Sequence, residues 1–323
     1  MEFRIFLVGK EWYNELYMDK IAIIIVHYDT VLDTDRCLVS LSKIKTSEDF
    51  DWQVFVVDNG SKIEYKLPTG IGNKVTLLRS ATNLGFTGGN NLGFKYAKEE
   101  YNPDYFLLLN SDTTVAADFL IKLFDGFKKN ERNLGILAPL IYFAPNHEYH
   151  SSAYNEEQIG KVIWYARGVV DWPNLSSFHQ GVDEADCGQY NFAPPKPDFV
   201  SGCCFLIKRQ VLEIVGGFDD KYFLYFEDAD LSLRVKKAGY EMKLIPDAYV
   251  WHYNGGSSGG VGSDLQNYYL TRNRLLFNWR HGSWKIRLTV LRLTVQFLLN
   301  KNKVLRKAAW HFISGNYGKQ IYV

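Results

Sequence analysis

The stretch YFLLLNSDT, residues 105–113, joins an uncharged apolar run directly to a polar cluster. Five consecutive apolar or aromatic residues of this kind predict a strand that is buried on both faces, as in a parallel sheet. In open α/β sheets, ligands bind in the crevice outside the carboxyl ends of the strands. The stretch therefore predicts both the type of sheet and the edge at which a functional site lies.

The same pattern occurs twice upstream. The apolar run 21–26 is followed by His27-Tyr28-Asp29, and the run 54–57 by Asp58-Asn59-Gly60-Ser61. A further short strand is predicted at 75–78, and helices are predicted at 37–44, 90–101 and 120–127, from apolar residues three and four apart. This alternation predicts an α/β fold with a doubly wound, mostly parallel sheet.

The second half of the chain is less regular. Residues 144–197 are rich in Pro, Gly, Asn and aromatic residues, and we interpret them as an ordered insertion over the sheet. A strand is predicted at 199–208, a short helix from Leu231, and two more strands at 242–245 and 249–252. Residues 255–262 are predicted to be a mobile glycine-rich loop. From about residue 264 onward the chain is predicted to be helical.

Composition narrows the classes of function. The chain has 323 residues and a formal net charge of +1, which argues against a sequence-wide grip on nucleic acid. It contains no C-x-x-C pair, so a zinc site is not expected. Neither a signal peptide nor a membrane-spanning run is predicted, and a cytoplasmic location is expected.

The helical tail has two readings that the sequence does not separate. Trp284, Leu288, Leu291, Val295 and Leu298 form one stripe, and Arg292, Gln296, Asn300, Lys303 and Lys307 form a basic one. Such a helix either packs on the main domain or rests on the inner face of an anionic membrane. A homodimer is also left open.

The segment 83–91 has the sequence NLGFTGGNN. Its glycines allow the backbone to approach a ligand closely, and the exposed amides of a helix start suit a phosphate or a nucleotide edge. The alternative is a glycine-rich turn in which Asn90 or Asn91 caps the following helix.

Several other residue types suit group transfer. Asp112 is placed to hold Mg²⁺ or Mn²⁺, with His252 as a second ligand, although Asp112 could instead cap a helix and His252 could be a core histidine. Three carboxylates lie at 227, 228 and 230, and crowding of this kind raises the pKa of one of them, as a general base requires. Asp230 is expected to cap the helix from Leu231. Arg272 is a candidate phosphate clamp, with surface solvation as its alternative.

Taken in order, these segments resemble glycosyltransferase family 2, and within it the rhamnosyltransferase-like branch. The resemblance covers about residues 20–275. It implies a GT-A fold with an N-terminal extension (1–17), a catalytic domain (18–265) and a C-terminal helical region (266–323). The catalytic domain would divide into a nucleotide-sugar half (18–140) and a mixed acceptor half (141–265).

The resemblance also implies roles for individual residues. Asp228 would be the catalytic base, beside Glu227, and Asp112 and His252 would hold a divalent cation, Mn²⁺ or Mg²⁺. The nucleotide sugar would be bound by Tyr28, Asp29, Asp58, Asn59, Asn83, Gly85, Gly88, Asn90, Asn91, Asn110, Ser111 and Arg272. Two positions depart from the family pattern: Asn110 replaces the first Asp of an Asp-x-Asp metal motif, and Asp29 stands where Asn is usual.

The expected activity is inverting transfer of a sugar from a nucleotide diphosphate, with dTDP-rhamnose favoured over a UDP-hexose. The acceptor would be a saccharide or a lipid-linked glycan in cell-surface polysaccharide synthesis. A Rossmann oxidoreductase is disfavoured, because no G-x-G-x-x-G follows the first strand. A nucleotidyltransferase and a non-catalytic saccharide-binding or scaffold protein remain as alternatives.

Overall fold

The computed structural model describes residues 18–128, 132–254 and 262–320. Its strands are β1 (Asp19–His27), β2 (Phe50–Asp58), β3 (Val75–Arg79), β4 (Tyr105–Leu109), β5 (Thr113–Val115), β6 (Leu134–Phe143), β7 (Ile163–Tyr165), β8 (Arg167–Asp171), β9 (Ser176–Gln180), β10 (Cys204–Lys208) and β11 (Glu241–His252). Its α-helices are α1 (Val31–Leu41), α2 (Gly85–Glu100), α3 (Phe119–Lys128), α4 (Arg209–Val215), α5 (Glu227–Lys237), α6 (Asp264–His281), α7 (Trp284–Leu298) and α8 (Lys303–Ser314). The predicted extension 1–17 and positions 255–261 of the predicted mobile loop lie outside these residues.

The main sheet has the order β3-β2-β1-β4-β10-β6-β11-β5, and β7 pairs with β6. Strands β3, β2, β1 and β4 are mutually parallel, whereas β10 is antiparallel to both of its neighbours. This arrangement confirms the predicted α/β class, with a parallel first half and a mixed second half.

The centre of the sheet is apolar because its strands are rich in β-branched and other apolar residues and are covered by helices. Ile21 and Ile25, at the two ends of the apolar run in β1, have no exposed surface. Helix α2 approaches β1 closely, since a Cβ on Gly93 would lie 2.5 Å from Ile24 and one on Gly89 would lie 2.9 Å from Val26. These glycines therefore allow the helix to pack against the sheet.

Several predicted boundaries were wrong, among them that of α1, which spans Val31–Leu41 rather than 37–44. Helix α2 begins at Gly85 rather than Asn90, and α5 begins at Glu227 rather than Leu231. Strand β10 begins only at Cys204. The two strands predicted at 242–252 are one strand, β11, with a register shift between Ile245 and Tyr249. A shift of this kind interrupts the alternation of side chains that sequence analysis depends on.

The insertion 144–197 is ordered and extends the main sheet beside β6. It contributes β7 to the main sheet, and β8 and β9 form a separate antiparallel hairpin. Tyr165 and Ile163 have no exposed surface, so the segment packs as part of the domain.

The helical tail is broken into three helices that pack on one another. The break between α7 and α8 arises at Asn302, whose side chain accepts a hydrogen bond from the Val304 amide (2.8 Å) and caps α8. Lys303 and Lys307 therefore belong to α8, and the predicted basic stripe on a single helix was wrong. Among the described helices, none is both long enough and apolar enough to cross a bilayer.

The predicted apolar stripe of α7 does not pack on the domain. Val290 and Thr294 are buried on one side of this helix, whereas Trp284, Leu288, Leu291 and Val295 are exposed. The interpretation in which that stripe is the packing face was wrong.

Candidate active site

The polar clusters that follow β1, β2 and β4 meet at one edge of the sheet. His27 is level with Asp58 in the parallel register of β1 and β2, and Ile24 is level with Leu108 in that of β1 and β4. The side chains after these strands therefore line a common crevice, as the sequence predicted.

Asp112 and His252 form a pair at this edge. Strands β5 and β11 bring Thr113 opposite His252, and Asp112 Oδ1 lies 3.2 Å from His252 Nε2. Both side chains are largely buried. Two ligands at about 2.1 Å from one ion and at a right angle lie about 3 Å apart, so the pair fits neighbouring positions around a divalent cation.

The acidic cluster lies at the start of α5. Asp228 Oδ2 accepts a hydrogen bond from the Gly202 amide (3.0 Å) and Oδ1 accepts one from the Ala229 amide (2.7 Å). Burial raises the pKa of Asp228 against the opposing effect of these amides. Burial, and then the charge of Asp228, raise the pKa of Glu227 well above its usual value. A carboxylate with a raised pKa is suited to take up a proton near neutral pH.

The loop that donates a hydrogen bond to Asp228 also contacts the segment after β4 that carries Asp112. The Cys203 carbonyl accepts a hydrogen bond from the Asn110 amide (2.8 Å), next to Gly202, which donates to Asp228. The nearby charge of Asp112 also contributes to the raised pKa of Cys203. The loop 201–203 thus connects Asp228 with the Asp112–His252 pair.

Aromatic side chains of the insertion complete the connection. The Trp164 ring lies 4.4 Å from the His252 ring and 4.6 Å from that of His179, which lies 5.0 Å from Tyr165. Burial, and then the charge of Asp228, raise the pKa of Tyr165. Two series of contacts, through the loop 201–203 and through these aromatic rings, therefore link Asp228 to the Asp112–His252 pair. Trp164 and His179 were missed by sequence reasoning; the aromatic content of the insertion was the signal that pointed to order there.

His179 is neutral at physiological pH. Burial, and then the neighbouring His252, lower its pKa to about 4. A neutral ring adds no positive charge that would compete with a cation beside His252.

The predicted nucleoside residues organise the loops at the crevice. Asp58 is buried and accepts hydrogen bonds from the amides of Ser61 (3.0 Å) and Tyr65 (3.1 Å) and from Arg79. Burial would raise the pKa of Asp58, but the hydrogen bonds and Arg79 outweigh it and lower the pKa. The exposed Asp29 accepts from the Lys62 amide (2.9 Å), which links the loops after β1 and β2. Of the residues predicted to bind the nucleotide sugar from the loops after β1 and β2, Tyr28 and Asp29 keep accessible surface.

Half-buried residues at the end of β4 also face this edge. Asn110 and Ser111 are only partly covered, and the Ser111 hydroxyl lies 3.5 Å from that of Thr30. Both positions can therefore still reach a bound ligand.

The segment 83–91 does not present free amides to a ligand. The Phe223 carbonyl accepts from the Phe86 amide (2.8 Å) and the Thr87 amide (3.4 Å) at the start of α2. A Cβ on Gly85 would lie 2.5 Å from that carbonyl oxygen. The prediction of exposed amides was therefore wrong, because a loop from the second half of the chain occupies them.

The other residues of this segment have internal contacts too. Asn59 binds the Leu84 amide (2.9 Å) and the Gly85 carbonyl (2.9 Å), and Asn83 accepts from the Gly85 amide (2.8 Å). Asn91 binds both the amide and the carbonyl of Phe218. Asn90 is buried, and Gly88 packs beside Leu84. Because α2 begins at Gly85, Asn90 and Asn91 lie inside the helix and do not cap it.

Arg272 and Asn273 hold the loop that precedes Glu227. Arg272 has no exposed surface, and its guanidinium donates to the carbonyls of Lys221, Tyr222 and Gly318. Asn273 donates to the carbonyls of Tyr222, Leu224 and Tyr225. Neither a phosphate clamp nor a solvated surface arginine agrees with this geometry.

Arg272 and Asn273, called the clamp below, hold this loop in an unusual backbone conformation. Phe223, Tyr225 and Phe226 have φ between 65° and 70°, a region that residues other than glycine rarely adopt. Three such residues directly before Glu227 persist only because the surroundings determine them. Arg272 and Asn273 are therefore positioning residues for the acidic cluster.

Asp230 does not cap a helix. It is fully buried, lies inside the first turn of α5, and binds His281 (2.7 Å) and Arg234 (2.7 Å). Burial alone would raise the pKa of Asp230, but His281 and Arg234 outweigh it and lower the pKa.

Solved structures show which fold this arrangement represents. GalNAc-T7 in complex with UDP, GalNAc and Mn²⁺ superposes with a TM-score of 0.60 at 17% identity, over 96% of this chain and 56% of that one. A mannosyltransferase from Pyrobaculum calidifontis with GDP-Man and Mn²⁺ gives 0.51 at 14% identity, over 93% and 75%. The chain therefore has the GT-A fold of these two enzymes.

The family follows from sequence. The model of glycosyl transferase family 2 matches residues 22–216, which is more than half of the chain, and the chain belongs to this family. It is 27% identical to the N-acetylglucosaminyl-diphospho-decaprenol L-rhamnosyltransferase of Mycobacterium tuberculosis, over 82% of this chain and 86% of that protein. It is 26% identical to the rhamnosyltransferase WbbL of Escherichia coli, over 60% and 73%. The predicted resemblance to the rhamnosyltransferase-like branch is confirmed.

Proposed function

We propose that this glycosyltransferase is inverting and depends on a divalent cation, and that it transfers rhamnose from dTDP-rhamnose to a lipid-linked saccharide. The observation that supports the proposal is the link between the Asp112–His252 pair and Asp228, through the loop 201–203 and the rings of Trp164, His179 and Tyr165. Inverting transfer needs a leaving diphosphate on one side of the sugar and a base on the other. The two groups of residues supply these two sides.

Asp228 acts as the base in this proposal. Its carboxylate is fixed by two main-chain amides, so that it points in one direction when the acceptor hydroxyl arrives. It takes the hydroxyl proton as the acceptor oxygen attacks the anomeric carbon from the face opposite the leaving group. Burial raises the pKa of Asp228, which favours proton uptake, and the charge of Asp228 in turn helps to raise the pKa of the neighbouring Glu227.

Asp112 and His252 would hold the cation in this proposal. When bound, the cation neutralises the charge that develops on the departing nucleotide diphosphate. Tyr28, Asp29, Asn110 and Ser111 line the same edge and would contact the donor. Asp58, Asn59 and Asn83 act one step further back, by fixing the loops that form its pocket.

The choice of donor and acceptor is supported by the relatives. The mycobacterial relative is named for L-rhamnose transfer to N-acetylglucosaminyl-diphospho-decaprenol, and the dTDP-rhamnosyl transferase RfbF of Shigella flexneri is 23% identical over 69% of both chains. A hexosyltransferase of low-salt glycan biosynthesis from Haloferax volcanii is also related, at 24% identity. We infer a role in assembling a cell-surface polysaccharide on a membrane lipid.

The test is a donor comparison with the purified protein and Mn²⁺. dTDP-rhamnose, UDP-glucose and UDP-galactose are each offered with a synthetic N-acetylglucosaminyl diphosphate lipid, and nucleotide release is measured by chromatography. We expect acceptor-dependent release of dTDP and, by NMR, a product with the anomeric configuration opposite to that of the donor. Retention of configuration would contradict the inverting mechanism, and preferred use of a UDP-hexose would contradict the donor.

A further inference from the structure

Helix α7 presents a continuous apolar face to the outside. Trp284, Leu288, Leu291 and Val295 are 67%, 49%, 48% and 54% exposed. Their spacing of four, three and four residues places them on one side of a helix. The other side carries the buried Val290 and Thr294, so the helix packs on the protein with one face and leaves an apolar face without a described partner.

This apolar stripe (Trp284, Leu288, Leu291 and Val295) is unusual within the chain. Ile63, Phe192 and Ile214, by contrast, are each exposed without another large exposed apolar residue beside them in the sequence, as is normal for a soluble surface. Contiguous exposed apolar patches mark sites of association with another surface.

The charges around the stripe indicate what that surface is. At 100° per residue, Lys285 and Arg292 fall beside the stripe on one side and Arg287 falls beside it on the other, and all three are exposed. No Asp or Glu occurs after Asp264, whereas the whole chain has a net charge of only +1. Positive charge is therefore concentrated in the helical tail.

We propose that α7 lies in the plane of an anionic lipid bilayer, with the apolar stripe inserted below the headgroups. Lys and Arg beside the stripe can extend their charged ends to the headgroups while their stems stay with the apolar face. Trp284, at the start of the helix, is the residue type that prefers the membrane interface. The surface is separate from the active site and goes beyond the proposed function.

A bilayer fits this face better than a second copy of the chain does. A symmetric pair of α7 helices would bring the same basic flanks together, and like charges repel. Anionic headgroups neutralise these flanks instead, at a gain that each Lys or Arg near the surface contributes separately.

The experiment is sedimentation of the full chain with vesicles. Vesicles of phosphatidylcholine are compared with vesicles that also contain phosphatidylglycerol. The stripe variant carries Leu288→Ser, Leu291→Ser and Val295→Ser. The matched control carries Ile63→Ser, Phe192→Ser and Ile214→Ser, which are at least as exposed. Since all six side chains are about half exposed or more, both variants should fold, and thermal melting checks this.

We expect the wild type and the control to sediment with anionic vesicles, and less so at high salt. The stripe variant should bind at least about tenfold more weakly, because its apolar insertion is lost. Transfer to a water-soluble acceptor analogue should be equal in all three proteins, which separates this result from any failure of the proposed function.

Equal binding by the stripe variant would overturn the proposal, as would failure of the wild type to bind anionic vesicles. A wild type that dimerises without binding vesicles, together with a monomeric stripe variant, would assign the stripe to a second copy and also overturn it.

Discussion

Asp228 is fixed by the amides of Gly202 and Ala229, and this geometry makes its role testable with one atom changed. Asp228→Asn preserves the shape of the side chain but cannot accept a proton from the acceptor. We expect kcat to fall by roughly 10²–10⁴-fold, the range of a general base, while donor affinity stays unchanged. Turnover is measured by nucleotide release and affinity by titration of the donor.

The matched control for this variant is Asp247→Asn, which removes an exposed carboxylate on β11. It should leave both kcat and donor affinity at wild-type values. Normal turnover by Asp228→Asn would exclude Asp228 as the base.

The pH dependence of turnover follows from the same residue. Asp228 must be ionised to accept a proton, and burial raises its pKa above the usual 3.8. Activity should therefore increase with pH, with the midpoint of the acidic limb above that of an ordinary aspartate. A kcat profile that is flat down to pH 4 would contradict the assignment.

Gly85 and Arg272 show why some residue roles could not be predicted from sequence. Both were predicted to bind the donor, and both instead contact the loop 221–226 from the second half of the chain. A glycine that approaches a ligand and one that approaches another part of the backbone look the same in sequence. Asp112 and His252 were expected together and do lie side by side, because a carboxylate and a histidine at strand ends have fewer structural alternatives; their roles and that of Asp228 stay predictions.

The start of α2 connects the two halves of the fold, and this contact can be tested at the scale of the element. An Ala at Gly85 adopts an unfavourable positive φ and also meets Phe223. Gly70 has a similar φ of 86° but nothing within 4 Å of an added Cβ. Gly85→Ala should therefore lower the free energy of unfolding by about 1–3 kcal/mol more than Gly70→Ala does, the usual cost of overpacking.

Chemical denaturation of the two variants measures this difference. Equal losses of stability would show that the conformation of Gly85, and not its contact with Phe223, is what requires glycine there. Gly85→Ala should also reduce transfer, since Phe223 lies in the loop that leads to Glu227.

The element order of the sheet was predictable, whereas the path of the insertion was not. Apolar runs ending in polar clusters gave β1, β2 and β4 directly, because a doubly covered parallel strand leaves a clear pattern. Strands β7, β8 and β9 are short, and Trp164 reaches His252 only through a long-range fold of the chain. No local pattern records such a contact.

At the scale of the whole molecule, the proposed cation site predicts linked stability. Mn²⁺ together with dTDP should raise the melting temperature, because ligands that bind only the folded state stabilise it. At a ligand concentration of a hundred times the dissociation constant, the free energy of unfolding increases by about 2.7 kcal/mol. Asp112→Asn and His252→Ala should each remove the part of the increase that requires Mn²⁺. His150→Ala, a change at an exposed histidine, is the control and should retain it.

An increase that persists in both site variants would place the cation elsewhere. An increase with dTDP alone, and no further effect of Mn²⁺ in the wild type, would contradict dependence on a cation.

The clamp of Arg272 and Asn273 on the loop before Glu227 has a consequence for exchanging parts between relatives. The family match ends at residue 216, but the base lies beyond it and its loop is held by helix α6 and by Gly318. Chimaeras joined at the end of the match would bring together a loop and a tail that did not evolve as a pair. Junctions for exchanging parts therefore belong upstream of Gly217, and the segment from Gly217 to the tail is best inherited as one block.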